Sequence, residues 1–162
     1  MNTLKVLAVA AAATFGMGTA AMAADLVVPG PAAVMTSGWD GGYIGVDGSV
    51  YTGPGVQADV FAGANFTVSE SFLIGAEASL GIYNNLPGLG VELSGSVRGG
   101  FIVSDSVLLY GKLGGAFDFP GTRVFIGGGA EFKVSDSMAI RVEGTADNTG
   151  TLQATVGALW HF

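Results

Sequence analysis

The stretch VQADVFAGANFTV (Val56–Val68), followed after Ser69-Glu70-Ser71 by FLIGAEASLGI (Phe72–Ile82), decides the fold. In the first run Val56, Ala58, Val60, Ala62, Ala64, Phe66 and Val68 alternate with Gln57, Asp59, Phe61, Gly63, Asn65 and Thr67. In the second, Phe72, Ile74, Ala76, Ala78, Leu80 and Ile82 alternate with Leu73, Gly75, Glu77, Ser79 and Gly81. A period of two is the period of a β-strand. Working outward, the same rhythm holds over Tyr43–Val50, Leu89–Val103, Val107–Asp118, Arg123–Val134, Met138–Ala146 and Leu152–Phe162, which makes eight strand candidates. Most are close to the ~9–11 residues that a tilted strand needs to cross a membrane.

The connections repeat as well. Ser69-Glu70-Ser71, Ser104-Asp105-Ser106 and Ser135-Asp136-Ser137 are three versions of one short turn, each between apolar residues. Ser and Asp side chains bond their own backbone and favour tight reversals, so the repeat reads as a hairpin device. Three copies on one side are what an eight-stranded up-and-down barrel requires. The other connections (Tyr51–Gly55, Asn84–Gly88, Phe119–Thr122 and Asp147–Gly150) are also short.

Composition selects among β architectures. Only 12% of residues are charged, against about 25% in an ordinary soluble domain. Glycine numbers 28 of 162, more than twice the usual share of about 7%. Residues 1–23 have the layout of a secretory signal peptide: Lys5, an uncharged Ala-rich stretch from Val6 to Met17, and the small-x-small triplet Ala21-Met22-Ala23. Without that leader, five basic side chains stand against the 13 acidic ones, a balance of −8 that argues against a nucleic-acid partner. Cysteine is absent, so no disulfide framework holds the exported chain. Beyond residue 23 no apolar run approaches the ~20 residues of a spanning helix. A chain this apolar, if it lies in lipid without helices, must close its strands into a barrel, where every backbone polar group is paired.

Charge placement follows the parity. Arg98, Lys112, Arg123, Lys133 and Arg141, with Asp47, Asp59, Glu77, Glu92, Glu131 and Glu143, all fall on the polar parity of their strands. A Lys or Arg on a lipid face would cost roughly 2–4 kcal/mol at the midplane. A soluble sandwich alternates too, with the faces exchanged, and alternation alone does not say which face is inside. The barrel reading puts an ionic set (Glu77, Glu92, Arg98, Lys112, Glu131, Arg141 and Glu143) into the lumen. Counting outward from Asp136 places Glu131 opposite Arg141, and counting from Asp105 places Arg98 opposite Lys112, two like charges that need carboxylates nearby. Outward aromatics (Phe66, Phe72, Phe101, Phe132, Trp160 and Phe162) gather beside the repeated turns as an interfacial girdle. Inward glycines such as Gly63, Gly75, Gly81, Gly90 and Gly100 suggest open lumen space, and the pairs Gly99-Gly100, Gly114-Gly115 and Gly127–Gly129 read as strand bends.

The sequence resembles the small outer-membrane β-barrel proteins of Gram-negative bacteria. It is most similar to the alphaproteobacterial 25/31-kilodalton porin-like family, related in architecture to the OmpA barrel. Three features carry the resemblance: a mature start Ala24-Asp25-Leu26 with a Pro/Ala linker, the first-strand motif Trp39-Asp40-Gly41-Gly42-Tyr43-Ile44-Gly45, and the ending Trp160-His161-Phe162. It implies residues 24–38 as a periplasmic linker, residues 39–162 as a barrel in the outer membrane, and a C-terminal strand read by the barrel assembly machinery. Partners are then membrane lipids and that machinery, with a monomer expected. The short loops depart from the family and argue against adhesion or host recognition.

Catalytic motifs fare poorly. The one histidine, His161, is penultimate and inward, far from the loops, and there is no Ser–His–acid set. One His and no Cys leave no transition-metal ligand set, and Asp147-Asn148-Thr149-Gly150 is a turn before it is a calcium loop. Gly53-Pro54-Gly55-Val56-Gln57-Ala58 fits a dinucleotide fingerprint on paper, yet a strand rather than a helix follows. Asn65-Phe66-Thr67 is a chance glycosylation triplet inside a strand. No cofactor is expected. The expectation is a non-enzymatic structural barrel supporting envelope integrity; the alternative is a narrow porin-like channel for ions or very small solutes with a salt-bridged lumen. A lipid-modifying enzyme is the third and least favoured reading.

Overall fold

The computed structural model describes residues 38–85, 88–118 and 121–162. The expected signal peptide and all of the linker before Gly38 lie outside the described residues, as do the tips of two loops. The described residues form eight strands: β1 (Gly41–Tyr51), β2 (Gly55–Ser69), β3 (Phe72–Asn85), β4 (Gly88–Ser104), β5 (Val107–Asp118), β6 (Gly121–Lys133), β7 (Met138–Asp147) and β8 (Leu152–His161). All neighbours pair antiparallel in sequence order, and β1 pairs with β8 to close the barrel. No edge remains open, which is what a β-structure in lipid requires.

The register follows the alternation. Glu131 faces Arg141 across β6 and β7, and Arg98 faces Lys112 across β4 and β5, as the turn counting predicts. Val46, Val60, Leu80, Leu93, Leu113, Ile126, Val142 and Val156, one from each strand, are exposed on the outer surface. Buried positions include Asp59, Glu92, Arg98, Glu131, Arg141 and Glu143. The charges are inside and the aliphatic side chains outside, so the sandwich alternative falls.

The three Ser-acid-Ser turns share one bond. The carbonyl of the last serine in each turn accepts a backbone N–H from the next strand along: Ser71 from Ile102 (2.9 Å), Ser106 from Lys133 (2.9 Å) and Ser137 from His161 (2.8 Å). Each turn is thereby stitched to β4, β6 or β8, and the repeat is a structural device. Register shifts between Thr67 and Ser69 and between Ile102 and Ser104 sit next to two of these turns. At the opposite end Asp147 Oδ1 accepts the N–H groups of Thr149 (2.8 Å) and Thr151 (3.0 Å), tightening the β7–β8 loop. Gly150 completes that turn with φ of 87°, a conformation that favours glycine.

Outside, Phe66, Phe101, Phe132, Trp160 and Phe162 are exposed beside the Ser-acid-Ser turns. Phe72 is half-buried because its ring packs edge-on against Phe101 at 5.2 Å.

Candidate functional site

The lumen is layered. At the end of the Ser-acid-Ser turns an apolar floor is built from Trp39, Tyr43, Leu73, Leu108, Ala139 and Leu159, all fully buried. Trp39 precedes β1, and its parity with Gly41 and Tyr43 turns it inward. Four attachments hold its segment. The Trp39 indole N–H donates to the Ser104 carbonyl (3.4 Å), and the Asn65 amide donates to the Trp39 carbonyl (3.1 Å). The Thr67 N–H donates to Asp40 (2.5 Å), while Lys133 donates to the Gly38 carbonyl and lies over the Trp39 ring. His161 is inward as its parity predicts, with its ring against those of Trp39 and Tyr43, each at 5.6 Å.

Above the floor lies an ionic plug. Arg98 makes a bidentate pair with Glu131 (2.7 and 3.2 Å), and Arg141 makes another with Glu77 (3.1 and 2.6 Å). Arg141 also donates twice to Glu131 (3.2 and 3.1 Å), which joins the two pairs. Lys112 bonds Glu143 at 2.7 Å and approaches Glu77 at 3.6 Å. Tyrosine hydroxyls take carboxylate oxygens on the same level: Tyr43 donates to Glu77 (2.9 Å) and Tyr110 to Glu143 (2.7 Å). Arg98 stacks over Tyr43 and Tyr110, and Arg141 over Phe61 at 4.2 Å. Three carboxylates meet three cations, so the plug is neutral. Bidentate Arg–carboxylate pairs are among the strongest side-chain contacts, and burial makes loss of any one member costly.

Sequence parity groups Glu92 with this plug, and the structure separates it. Glu92 is in register with Asp118, the last residue of β5, so it lies near the loop end. There it pairs with Arg123, which also binds Asp147 (3.1 Å) and lies 3.3 Å from Asp118. Glu92, Arg123 and Asp147 line a polar vestibule open at the loop end, together with Asp47, Gln57 and Asp59.

The inward glycines do not leave open space. An added Cβ at Gly63 would collide with the Tyr43 hydroxyl, at Gly81 with Asp59, at Gly90 with Tyr83, and at Gly45 with Phe61. One at Gly75 would stand 2.6 Å from Asn65 Oδ1, and one at Gly100 would stand 3.0 Å from Leu108. Each is a socket for a larger side chain from a neighbouring strand, the close approach for which strand glycines are used. They pack the lumen rather than widen it, which corrects the reading of these residues as pore space. Gly114 and Gly129 belong to the same pattern, receiving Phe125 and Tyr110, so that packing as well as bending explains the glycine pairs.

No family model matches the chain, and no curated protein matches it by sequence. Solved structures do. The barrel is similar to a de novo designed transmembrane β-barrel at 24% identity and TM-score 0.57, covering 75% of this chain and 94% of that one. It is similar to the N-terminal β-barrel domain of Pseudomonas aeruginosa OprF at 15% identity and TM-score 0.55, covering 75% and 96%. It is also similar to the attachment invasion locus protein Ail of Yersinia pestis at 14% identity and TM-score 0.54, covering 75% and 96%. The fold is that of the small eight-stranded outer-membrane β-barrels.

Proposed function

We propose that the protein is a closed, structural barrel of the Gram-negative outer membrane, contributing to envelope integrity rather than to transport or catalysis. The observation that carries this is the double stopper in the lumen. The plug residues Arg98, Glu131 and Arg141 are 4%, 0% and 1% exposed, and the fully buried floor lies beneath them. An ion would have to break a neutral salt-bridge network and then displace Trp39, Tyr43 and Leu108. A barrel of eight strands is narrow enough for its own side chains to fill it. The resemblance to the alphaproteobacterial porin-like family and the leader expected over residues 1–23 support export to that membrane. They also support insertion by the barrel assembly machinery, with lipids around the barrel and a monomer as the working form. Catalysis has no place in this reading, because His161 sits in the floor between aromatic rings, at the other end of the lumen from the open vestibule.

Two measurements on the refolded barrel test it. In planar bilayers the wild-type protein is expected to show no steady opening; reproducible single-channel currents would overturn the closed reading in favour of the narrow channel. In vesicles with brominated acyl chains, Trp160 on the outer face is expected to be quenched and Trp39 in the floor spared. Equal protection of both tryptophans would overturn the membrane assignment itself.

A further inference from the structure

The vestibule carries more negative charge than its cations hold. Of the six carboxylates on its walls, Glu77 and Glu143 belong with Lys112 to the neutral plug, which leaves Asp47, Asp59, Glu92 and Asp147 against one further cation, Arg123. Lys112 is engaged by Glu143 and Glu77, and Arg123 by Glu92, Asp118 and Asp147. Asp47 and Asp59 are left over. They stand directly opposite one another in the β1–β2 register, both lining the same inner cavity. Among the described residues no Lys or Arg is within salt-bridge distance of either. Like charges directly opposite on a sheet are destabilising, and two carboxylates sharing a site stay charged only when something positive joins them.

Gln57 supplies an independent observation. It lines the same cavity and is only 5% exposed. Its amide nitrogen donates to Asp59 Oδ1 (2.7 Å) and Glu92 Oε1 (3.3 Å), while its carbonyl oxygen is buried without a partner. Turning the amide over would set that oxygen against two carboxylates, so its orientation is fixed by its neighbours. An acceptor left unpaired in a buried place is costly, and in a cavity with a surplus of carboxylates a cation is the partner that would satisfy it and offset that charge as well.

We propose that Asp47, Asp59 and the Gln57 carbonyl oxygen form a binding site for one hard divalent cation, Ca²⁺ or Mg²⁺. The two carboxylates match a double positive charge, and every donor is oxygen, the ligand type such ions take, with water completing the shell. No sulfur or imidazole is present to select a softer metal. The open loop end gives the ion its way in. The inference depends on the barrel fold and is indifferent to whether the lumen conducts, so it stands or falls separately from the closed-barrel reading.

The experiment titrates the refolded mature barrel with CaCl2 and MgCl2, following heat of binding and melting temperature. Barrel formation is checked by the mobility difference between unheated and boiled samples. Expected for the wild type is saturable uptake of one equivalent with Kd of about 10⁻⁴–10⁻³ M, the range of low-affinity calcium modules, and a rise in melting temperature. Asp47→Asn combined with Asp59→Asn is expected to abolish both responses, and Gln57→Ala to weaken binding about tenfold, as loss of a supporting ligand does. Asp136→Asn, in the β6–β7 turn at the other end, should change nothing. Should the double variant not form a barrel, Asp47→Asn alone is expected to remove the thermal response. The proposal is overturned by uptake that survives the Asp47/Asp59 changes. It is equally overturned by a folded wild type with no saturable uptake, which would mean that a shared proton joins the pair.

Discussion

The two halves of the lumen are built from the same residue types on the same strand parity, yet they solve the charge problem differently. In the turn-side half, three carboxylates and three cations close on each other over an aromatic floor, and Arg98, Glu131 and Arg141 are all but removed from solvent. In the loop-side half, Arg123 is shared by Glu92, Asp118 and Asp147, and Asp47 and Asp59 stand without a cation beside them. Depth along the axis explains the difference. Far from the opening, a charge must be paired within the protein, because desolvation leaves it no other partner. Near the opening, water and dissolved ions can take that part, and strict pairing is relaxed.

The largest effect expected from this contrast is at Glu77, which reaches all three plug cations: Arg141 at 2.6 Å, Lys112 at 3.6 Å and Arg98 at 4.0 Å. Glu77→Ala strands Arg141 without its bidentate partner, takes an acceptor from Tyr43 and leaves the plug with an excess positive charge. Breaking a buried pair in this way costs about 3–5 kcal/mol. Arg98→Ala should cost less, because Glu131 keeps two bonds from Arg141 and Lys112 loses a like-charged neighbour across β4 and β5. Urea unfolding of the three proteins in detergent checks the order wild type, then Arg98→Ala, then Glu77→Ala. Equal stability of both variants would mean that water satisfies the plug as it does the vestibule.

A middle-sized effect separates packing from charge. At Gly63, on the inner face, an added Cβ meets the Tyr43 hydroxyl and stands 2.7 Å from the Ala76 carbonyl oxygen, which is backbone and cannot swing away. Gly63→Ala is therefore expected to destabilise by about 1–3 kcal/mol, the usual range for overpacking. Gly95, outward on β4, has nothing within 4 Å of such a Cβ. Gly95→Ala should be neutral or stabilise by up to about 1 kcal/mol, since Ala restricts the unfolded chain more than Gly. The same unfolding measurement reads both; a loss at Gly95 matching that at Gly63 would show that the sockets are not what the inner glycines are for.

Where the sequence was legible, the interactions are local. The eight strands follow from period-two alternation, and the pairs Glu131–Arg141 and Arg98–Lys112 follow from counting back from a tight turn, because hairpin register is set by the turn. The pairs that make the plug cross the lumen instead, Arg98 on β4 to Glu131 on β6 and Arg141 on β7 to Glu77 on β3. Strand tilt and side-chain reach decide those, and neither has a period. Glu92 shows the same limit: parity puts it in the lumen, and only its height on the wall assigns it to Arg123. Trp39 was visible as part of a motif, and carrying the parity of Tyr43 back by four residues would have turned it inward. The inner glycines mislead for a physical reason: a sequence shows a missing side chain but not which neighbour fills the gap.

The smallest effect is expected at Glu92, and it is the sharpest test of the contrast because Glu92 is the vestibule's counterpart of Glu77. Both are inward glutamates paired with an arginine. Arg123, however, keeps Asp147 at 3.1 Å and Asp118 at 3.3 Å when Glu92 is removed, and its side chain is 22% exposed against 1% for Arg141. A partly hydrated cation with two remaining carboxylates is not stranded. Removing Glu92 also lowers the negative surplus around Asp59, with which it shares the Gln57 amide. Against these gains stands the lost pair with Arg123, in which Glu92 is buried but the arginine reaches solvent, and such a half-hydrated pair is worth about 1 kcal/mol. Glu92→Ala should therefore change stability by under about 1 kcal/mol in urea unfolding. If Glu92→Ala instead costs as much as Glu77→Ala, the vestibule is as dry as the plug and the division of the lumen into two electrostatic regimes is wrong.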